Sequence, residues 1–162
     1  MTTQLAREPI DPDLVRPWRE PLRESGPVLG AIAVGGSIGA LARYGLSQLW
    51  PVPSGSFPWA TFTVNVTGCF LIGVLMVLTT EAWIAHRLLR PFLAVGVLGG
   101  FTTFSTYAGE MRSLLQPGTV GLAFGYLAGT LICALLATLL AVRVTRAAYT
   151  ALRRRVIRKG VA

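Results

Sequence analysis

Charge is scarce in this chain, and the place where it is missing decides the class. Only 14% of the 162 residues are charged and 52% are hydrophobic, with a mean hydropathy of +0.58. An ordinary soluble domain carries about 25% charge. From residue 27 to residue 142 the only acids are Glu81 and Glu110, which excludes a water-facing surface for that stretch. Histidine is nearly absent too. His86 is the single one, in a basic loop, and reads as a solvated loop residue. The two cysteines, Cys69 and Cys133, both fall in apolar runs, so they read as small hydrophobes rather than a disulfide framework. With no paired carboxylates and no Cys/His cluster, an enzyme is not expected.

What is present is four apolar runs, at about 28–50, 59–80, 90–115 and 119–142. Each is long enough for a bilayer core of about 30 Å, which takes roughly 20 residues of helix. Pro51, Pro53 and Pro58 punctuate the first connection, Pro91 opens the third run, and Pro117-Gly118 marks the turn before the fourth. Trp50, Trp59 and Trp83 stand at run ends, where an amphipathic indole belongs. The expectation is an all-α membrane protein of four transmembrane helices. Residues 1–26 read as a disordered cytoplasmic tail, 27–143 as the membrane domain and 144–162 as a basic cytoplasmic tail.

Basic residues set the orientation. Arg7, Arg16, Arg19 and Arg23 precede the first run, Arg87 and Arg90 follow the second, and seven more lie from Arg143 onward. These thirteen share one side of the membrane, while the opposite side has Arg112 alone and Arg43 lies within a run. The positive-inside rule then puts both termini in the cytoplasm of a multi-pass cell-membrane protein. The segment RRRVIRK (153–159) reads as a stop-transfer and solubility element, with contact to anionic lipid the alternative.

Polar residues within spans are costly unless paired or useful. Gly35 and Gly39, and again Gly121, Gly125 and Gly129, form small-residue columns that let helices approach. Arg43 either snorkels to the interface or holds a positive potential at the mouth of a wet pocket. Asn65, in VNVTG, either bonds to a neighbouring helix or offers its amide to a passing anion. Tyr126, Thr130 and Thr138 fall on one helical stripe, with Ala134 between them, as a track of hydroxyl donors.

The third run carries the strangest segment, GGFTTFSTY at 99–107. Two glycines followed by β-branched threonines favour a helix broken in mid-membrane, with a half-helix ending near Gly99. Carbonyls freed there need a partner, and a small hard cation such as Na⁺ suits them. Phe104 and Tyr107 then sit three apart, on one face of the next half-helix, and their positive ring edges suit a bare anion. Glu110 is placed toward an aqueous mouth.

GALARY (39–44), VNVTG (64–68), GGFTTFSTYAGE (99–110) and a Tyr-bearing fourth span together resemble the fluoride channels of the Fluc/CrcB family, over roughly residues 28–145. The resemblance implies an antiparallel dimer with two fluoride pores and a central structural Na⁺ held by third-helix carbonyls, here those of Gly99 and Thr102. It implies pore roles for Asn65, Phe104, Tyr107, Tyr126, Thr130 and Thr138, with Ser105 in the same group and Arg43 at the vestibule. Two departures stand out: Tyr107 replaces the second phenylalanine of the family's pair, and Ala134 stands where some relatives have a hydroxyl. The implied function is passive export of cytoplasmic fluoride.

A small four-helix multidrug exporter is the rival class, but it wants a carboxylate in span one, and none is there. A partner-dependent subunit is the other alternative. The basic bias commits nearly all copies to one orientation, so an antiparallel pair is expected to need a related chain of opposite topology, a paralogue, rather than a second copy of itself.

Overall fold

Four helices long and apolar enough to cross a bilayer run through Ser25–Leu49, Trp59–Glu81, Pro91–Leu114 and Val120–Arg154. The computed structural model describes the backbone of residues 19–82 and 87–160, and every regular element among them is helical. Residues 1–18, Trp83 and His86 lie outside the described residues.

α1 (Arg19–Leu49) starts earlier than the composition suggests. Residues 19–26, expected in the tail, form its first turns; Pro21 fits there because the first helical N–H groups have no partner to lose. α2 (Trp59–Val77) runs on into a π-helical turn, Leu78–Ala82. The third span comes in three pieces: a π-helical segment, Pro91–Leu98, then α3 (Gly99–Phe101) and α4 (Ser105–Leu114). α5 (Val120–Gly160) is 41 residues long. At 1.5 Å per residue that is about 60 Å, twice a bilayer core. The expected C-terminal tail is therefore mostly a continuation of the fourth helix. Glu81 at the end of the second span and Arg146 on this extension form an ion pair at 2.6 Å. The pair is exposed, so it adds at most about 1 kcal/mol.

Two packed pairs build the molecule. α2 lies along α5, and α1 lies along Pro91–Leu98 and α3. Glycine makes the second pair possible. A Cβ on Gly39 would sit 2.7 Å from the Phe101 amide nitrogen and 2.9 Å from the Val97 carbonyl carbon. One on Gly96 would sit 2.9 Å from the Gly35 Cα. Backbone meets backbone along this seam, which is how small residues hold membrane helices together. The column on α5 behaves differently. Gly121, Gly125 and Gly129 have nothing of their own chain within 4 Å. Leu131, Leu135 and Leu136 are exposed on the same helix, as befits a surface meant for lipid or a second chain.

The contrast gives a prediction. Gly39→Val forces a side chain into main-chain atoms and is expected to cost about 1–3 kcal/mol or more. Gly125→Val meets open space and leaves the single chain's fold intact. Thermal unfolding of the two variants in detergent checks the difference.

Candidate functional site

The third span does break, but two residues later than the glycines suggest. Gly99, Gly100 and Phe101 are still helical, and Thr102 leaves the helix with φ −74° and ψ 155°. Gly100 is there for contact, since a Cβ on it would collide with the Gly36 carbonyl of α1, whereas one on Gly99 would meet open space. What stops the helix is Asn65. Its side-chain oxygen accepts the Thr103 N–H at 2.9 Å, and its amide donates to the Thr103 carbonyl at 2.9 Å. In an unbroken helix that N–H would reach the Gly99 carbonyl. Asn65 has taken the donor, so the Gly99 carbonyl loses its helical partner. Both readings of Asn65 stay open: it pins the neighbouring span, and one amide hydrogen is left over.

Beyond the break the chain re-enters helix under a local cap. The Thr103 hydroxyl accepts the Thr106 N–H at 3.2 Å and donates to the Thr106 hydroxyl at 3.0 Å. Ser105 is exposed, with its oxygen 3.4 Å from that of Thr103. On α2, Gly68 leaves room for the Thr102 methyl, and Cys69 lies one turn after Asn65 on the same face.

A cavity of about 250 Å³ opens at this point, lined by Asn65, Cys69, Thr102, Thr103, Phe104, Tyr107, Thr130, Leu131 and Ala134. Five of the residues expected at a site (Asn65, Thr102, Phe104, Tyr107 and Thr130) therefore share one space. The rings of Phe104 and Tyr107 lie 5.8 Å apart and tilted by 53°. They differ sharply in exposure: Tyr107 is 8% exposed and Phe104 79%. A smaller cavity of about 70 Å³ adjoins it through Thr103 and is lined by Arg43, Ser47, Thr61 and Thr106 among others. The Arg43 Nε donates to the Gly100 carbonyl at 3.3 Å, so the guanidinium braces the end of α3.

The hydroxyl stripe of α5 faces inward, but it is not a continuous track. Tyr126 is fully buried and donates to Glu110 at 2.8 Å. Thr138 donates to the carbonyls of Cys69 and Ala134, at 3.1 and 3.0 Å, and lies outside the cavity. Thr130 differs from both. It is 5% exposed, lines the cavity, and its hydroxyl has no hydrogen-bond partner among the described residues.

Tyr107 settles its extra hydroxyl locally, donating it to the Leu127 carbonyl at 2.7 Å. The group is therefore satisfied by the main chain of α5. Tyr107→Phe is expected to lose about 0.5–1.5 kcal/mol of stability and to leave the ring edge in place. Flux assays and unfolding of that variant test this, and a large change in ion selectivity would contradict it.

Glu110 is half-buried near the end of the third span. Its two oxygens accept from Thr61 on α2 and Tyr126 on α5, both at 2.8 Å, so a carboxylate ties three spans together. Thr61, Thr103 and Cys69 were not singled out as site residues. Each falls at a helical spacing from a residue that was, which only the break's geometry turns into contact. Among the described residues no cluster of three His, Cys, Asp or Glu side chains forms a metal site.

Comparison with known proteins places the chain in a family. The family described as "CrcB-like protein, Camphor Resistance (CrcB)" matches residues 30–142. The fluoride-specific ion channel FluC 2 of Nocardia farcinica is 61% identical over 127 residues, covering 78% of this chain and 91% of that one. FluC 2 of Streptomyces avermitilis is 57% identical over 105 residues, covering 65% and 66%. FluC 3 of the same organism is 44% identical over 131 residues, covering 81% and 63%.

Proposed function

The chain belongs to the CrcB-like family, whose members are ion channels and not enzymes, and from that premise we propose that it forms a passive, fluoride-selective channel of the cell membrane. The observation that carries the reading is the hydroxyl of Thr130, buried and unpartnered in the cavity that Asn65, Phe104 and Tyr107 also line. A buried hydroxyl without a partner costs about 1–3 kcal/mol unless something polar visits it. Fluoride is small and holds its water tightly, so a path for it must replace that water with close donors. The Thr130 hydroxyl, the spare Asn65 hydrogen and two ring edges are donors of this kind. A larger anion gains less from them in so tight a space.

Direction follows from chemistry outside the protein. Hydrogen fluoride crosses membranes as a neutral acid and ionises in a less acidic cytoplasm, so a passive pore carries the accumulated anion outward. Arg43 raises the potential beside the path and holds the end of α3.

A structural Na⁺ fits the carbonyls of Gly99 and Thr102. The first has lost its helical donor, and the chain leaves the helix at the second. Such an ion would supply fixed positive charge at the break. Gly100 is already engaged by Arg43, so one chain offers too few oxygens for a hard cation, and a second chain would complete the shell. Two further features support an antiparallel pair: the open glycine column of α5 and the 79% exposure of Phe104. The thirteen bases at the terminal end favour cytoplasmic termini in nearly every copy. The partner would then be a paralogue of opposite orientation, and relatives do occur as numbered sets within one organism.

Fluoride efflux from liposomes holding the purified chain, read with an electrode and compared with chloride, tests the reading. Fast fluoride loss with little chloride loss is expected, because reconstitution scrambles orientation and lets like chains pair. Silence that a co-reconstituted paralogue relieves assigns the heteromer. Equal loss of both anions, or silence in both preparations, overturns the proposal.

A further inference from the structure

We propose that Cys69 is a modification site on the anion path, where a small neutral thiol reagent enters the cavity, bonds to the sulfur and plugs the channel. The inference rests on the fluoride reading above and adds to it a site and a class of ligand.

Cys69 is a free, half-buried thiol on α2 and lines the cavity of about 250 Å³. It does not face that space alone. Thr130 reaches the same cavity from α5, 95% shielded and with no partner for its hydroxyl among the described residues, which marks the space as one that something polar occupies. The position of the thiol is held from behind, since the Cys69 carbonyl accepts the Thr138 hydroxyl at 3.1 Å across the α2–α5 seam. Asn65 lies one turn away on the same face of α2, and its amide is pinned to Thr103. The walls offer few polar groups, so a neutral reagent enters more readily than a charged one. Cys133 is also free and half-buried but does not line this cavity, and it serves as the internal control.

Methyl methanethiosulfonate suits the site. The thiol first gives its proton to water or buffer. The thiolate then attacks the reagent's sulfenyl sulfur, a new S–S bond forms, the S–SO₂ bond breaks, and methanesulfinate leaves with the electron pair. The product is a mixed disulfide in which a methylthio group on the Cys69 sulfur replaces the thiol hydrogen. It fills space beside Thr130, removes a weak donor and turns an apolar methyl toward the path.

The experiment uses the full chain, treated in detergent at about pH 8.5, where an ordinary thiol is half ionised. Peptide mass mapping and fluoride efflux after reconstitution are read together. One adduct on Cys69 is expected, with fluoride efflux lowered about tenfold, as befits a path obstructed at its lining. Dithiothreitol is expected to restore the rate. The Cys133→Ser chain is expected to stay sensitive. Cys69→Ser and Cys69→Ala chains, whatever their own rates, are expected to show the same efflux before and after treatment. Sodium fluoride is expected to slow the labelling of Cys69 severalfold, and sodium chloride is not. An adduct on Cys69 with unchanged efflux overturns the proposal. So does a folded chain whose Cys69 refuses the reagent while the denatured chain accepts it. If the untreated chain moves no fluoride either alone or with a paralogue, the channel reading fails by itself and labelling still decides the site. Protection by fluoride then supports it, and equal labelling in fluoride and chloride overturns it.

Discussion

Asn65→Leu is expected to abolish fluoride flux and to be among the most destabilising single changes in the spans. Leucine has the same number and branching of side-chain heavy atoms as asparagine and is the bulkier residue, so the loss does not come from a hole. It comes from two main-chain groups of Thr103, the N–H and the carbonyl, which Asn65 satisfies at 2.9 Å each. Orphaning two such groups costs about 2–6 kcal/mol at roughly 1–3 kcal/mol apiece. The freed N–H has an alternative, the Gly99 carbonyl one helical turn back. Taking it would heal the break, straighten α3 into α4 and carry Phe104 away from Thr130. Two measurements separate the effects: unfolding in detergent reads the lost pin, and efflux from the surviving folded fraction reads the lost path. Asn65→Asp keeps the acceptor for the Thr103 N–H and loses the donor to its carbonyl, so its stability should lie between leucine and wild type. Wild-type flux through a folded leucine variant would show that the break neither needs Asn65 nor shapes the path.

That prediction also shows why some features could be read from sequence and others could not. Helix number and span limits follow from composition, because twenty apolar residues in a row admit few other states. The existence of a break was legible in GGFTTFSTY, since glycine and β-branched residues weaken a helix wherever they sit. Its position was not. Gly99 and Gly100 look like the weak point, yet both are helical and Gly100 serves the contact with α1, while the stop is imposed at Thr103 by a side chain 38 residues away. The α5 stripe follows the same division. Periodicity turned Tyr126, Thr130 and Thr138 inward, but whether each hydroxyl met a carboxylate, a carbonyl or nothing depended on α2 and α4. The basic C-terminal segment is a helical extension of the fourth span. Charge content suggests a tail, whereas residues 143–159 hold six Arg and three Ala, good helix formers, with no Gly or Pro to end the helix before Gly160.

Glu110→Ala is expected to rival the Asn65 change in stability, by a different route. The carboxylate is the one acidic side chain within the third span, and it is shared: Thr61 donates to one oxygen and Tyr126 to the other. Both donors are shielded, Thr61 to 7% exposure and Tyr126 completely. Removing the acceptor strands two hydroxyls, at about 1–3 kcal/mol each. The damage spreads, because the Tyr126 ring also meets Tyr107 at 5.0 Å and Phe57 at 5.3 Å. A shift of that ring disturbs the edge that Tyr107 presents to the cavity. Glu110→Gln should be far milder, within about 1 kcal/mol of wild type, since its oxygen still accepts one hydroxyl and its amide donates to the other. The pair of variants thus separates geometry from charge. If alanine unfolds the chain and glutamine does not, Glu110 acts as a clamp between spans. If glutamine is as damaging as alanine, the negative charge itself is required. Tyr126→Phe combined with Glu110→Ala completes the cycle. A clamp predicts that the double variant is less damaged than the sum of the singles by about 0.5–3 kcal/mol, because phenylalanine removes the hydroxyl that alanine would have stranded. Strict additivity would mean that the 2.8 Å contact does not hold the helices together.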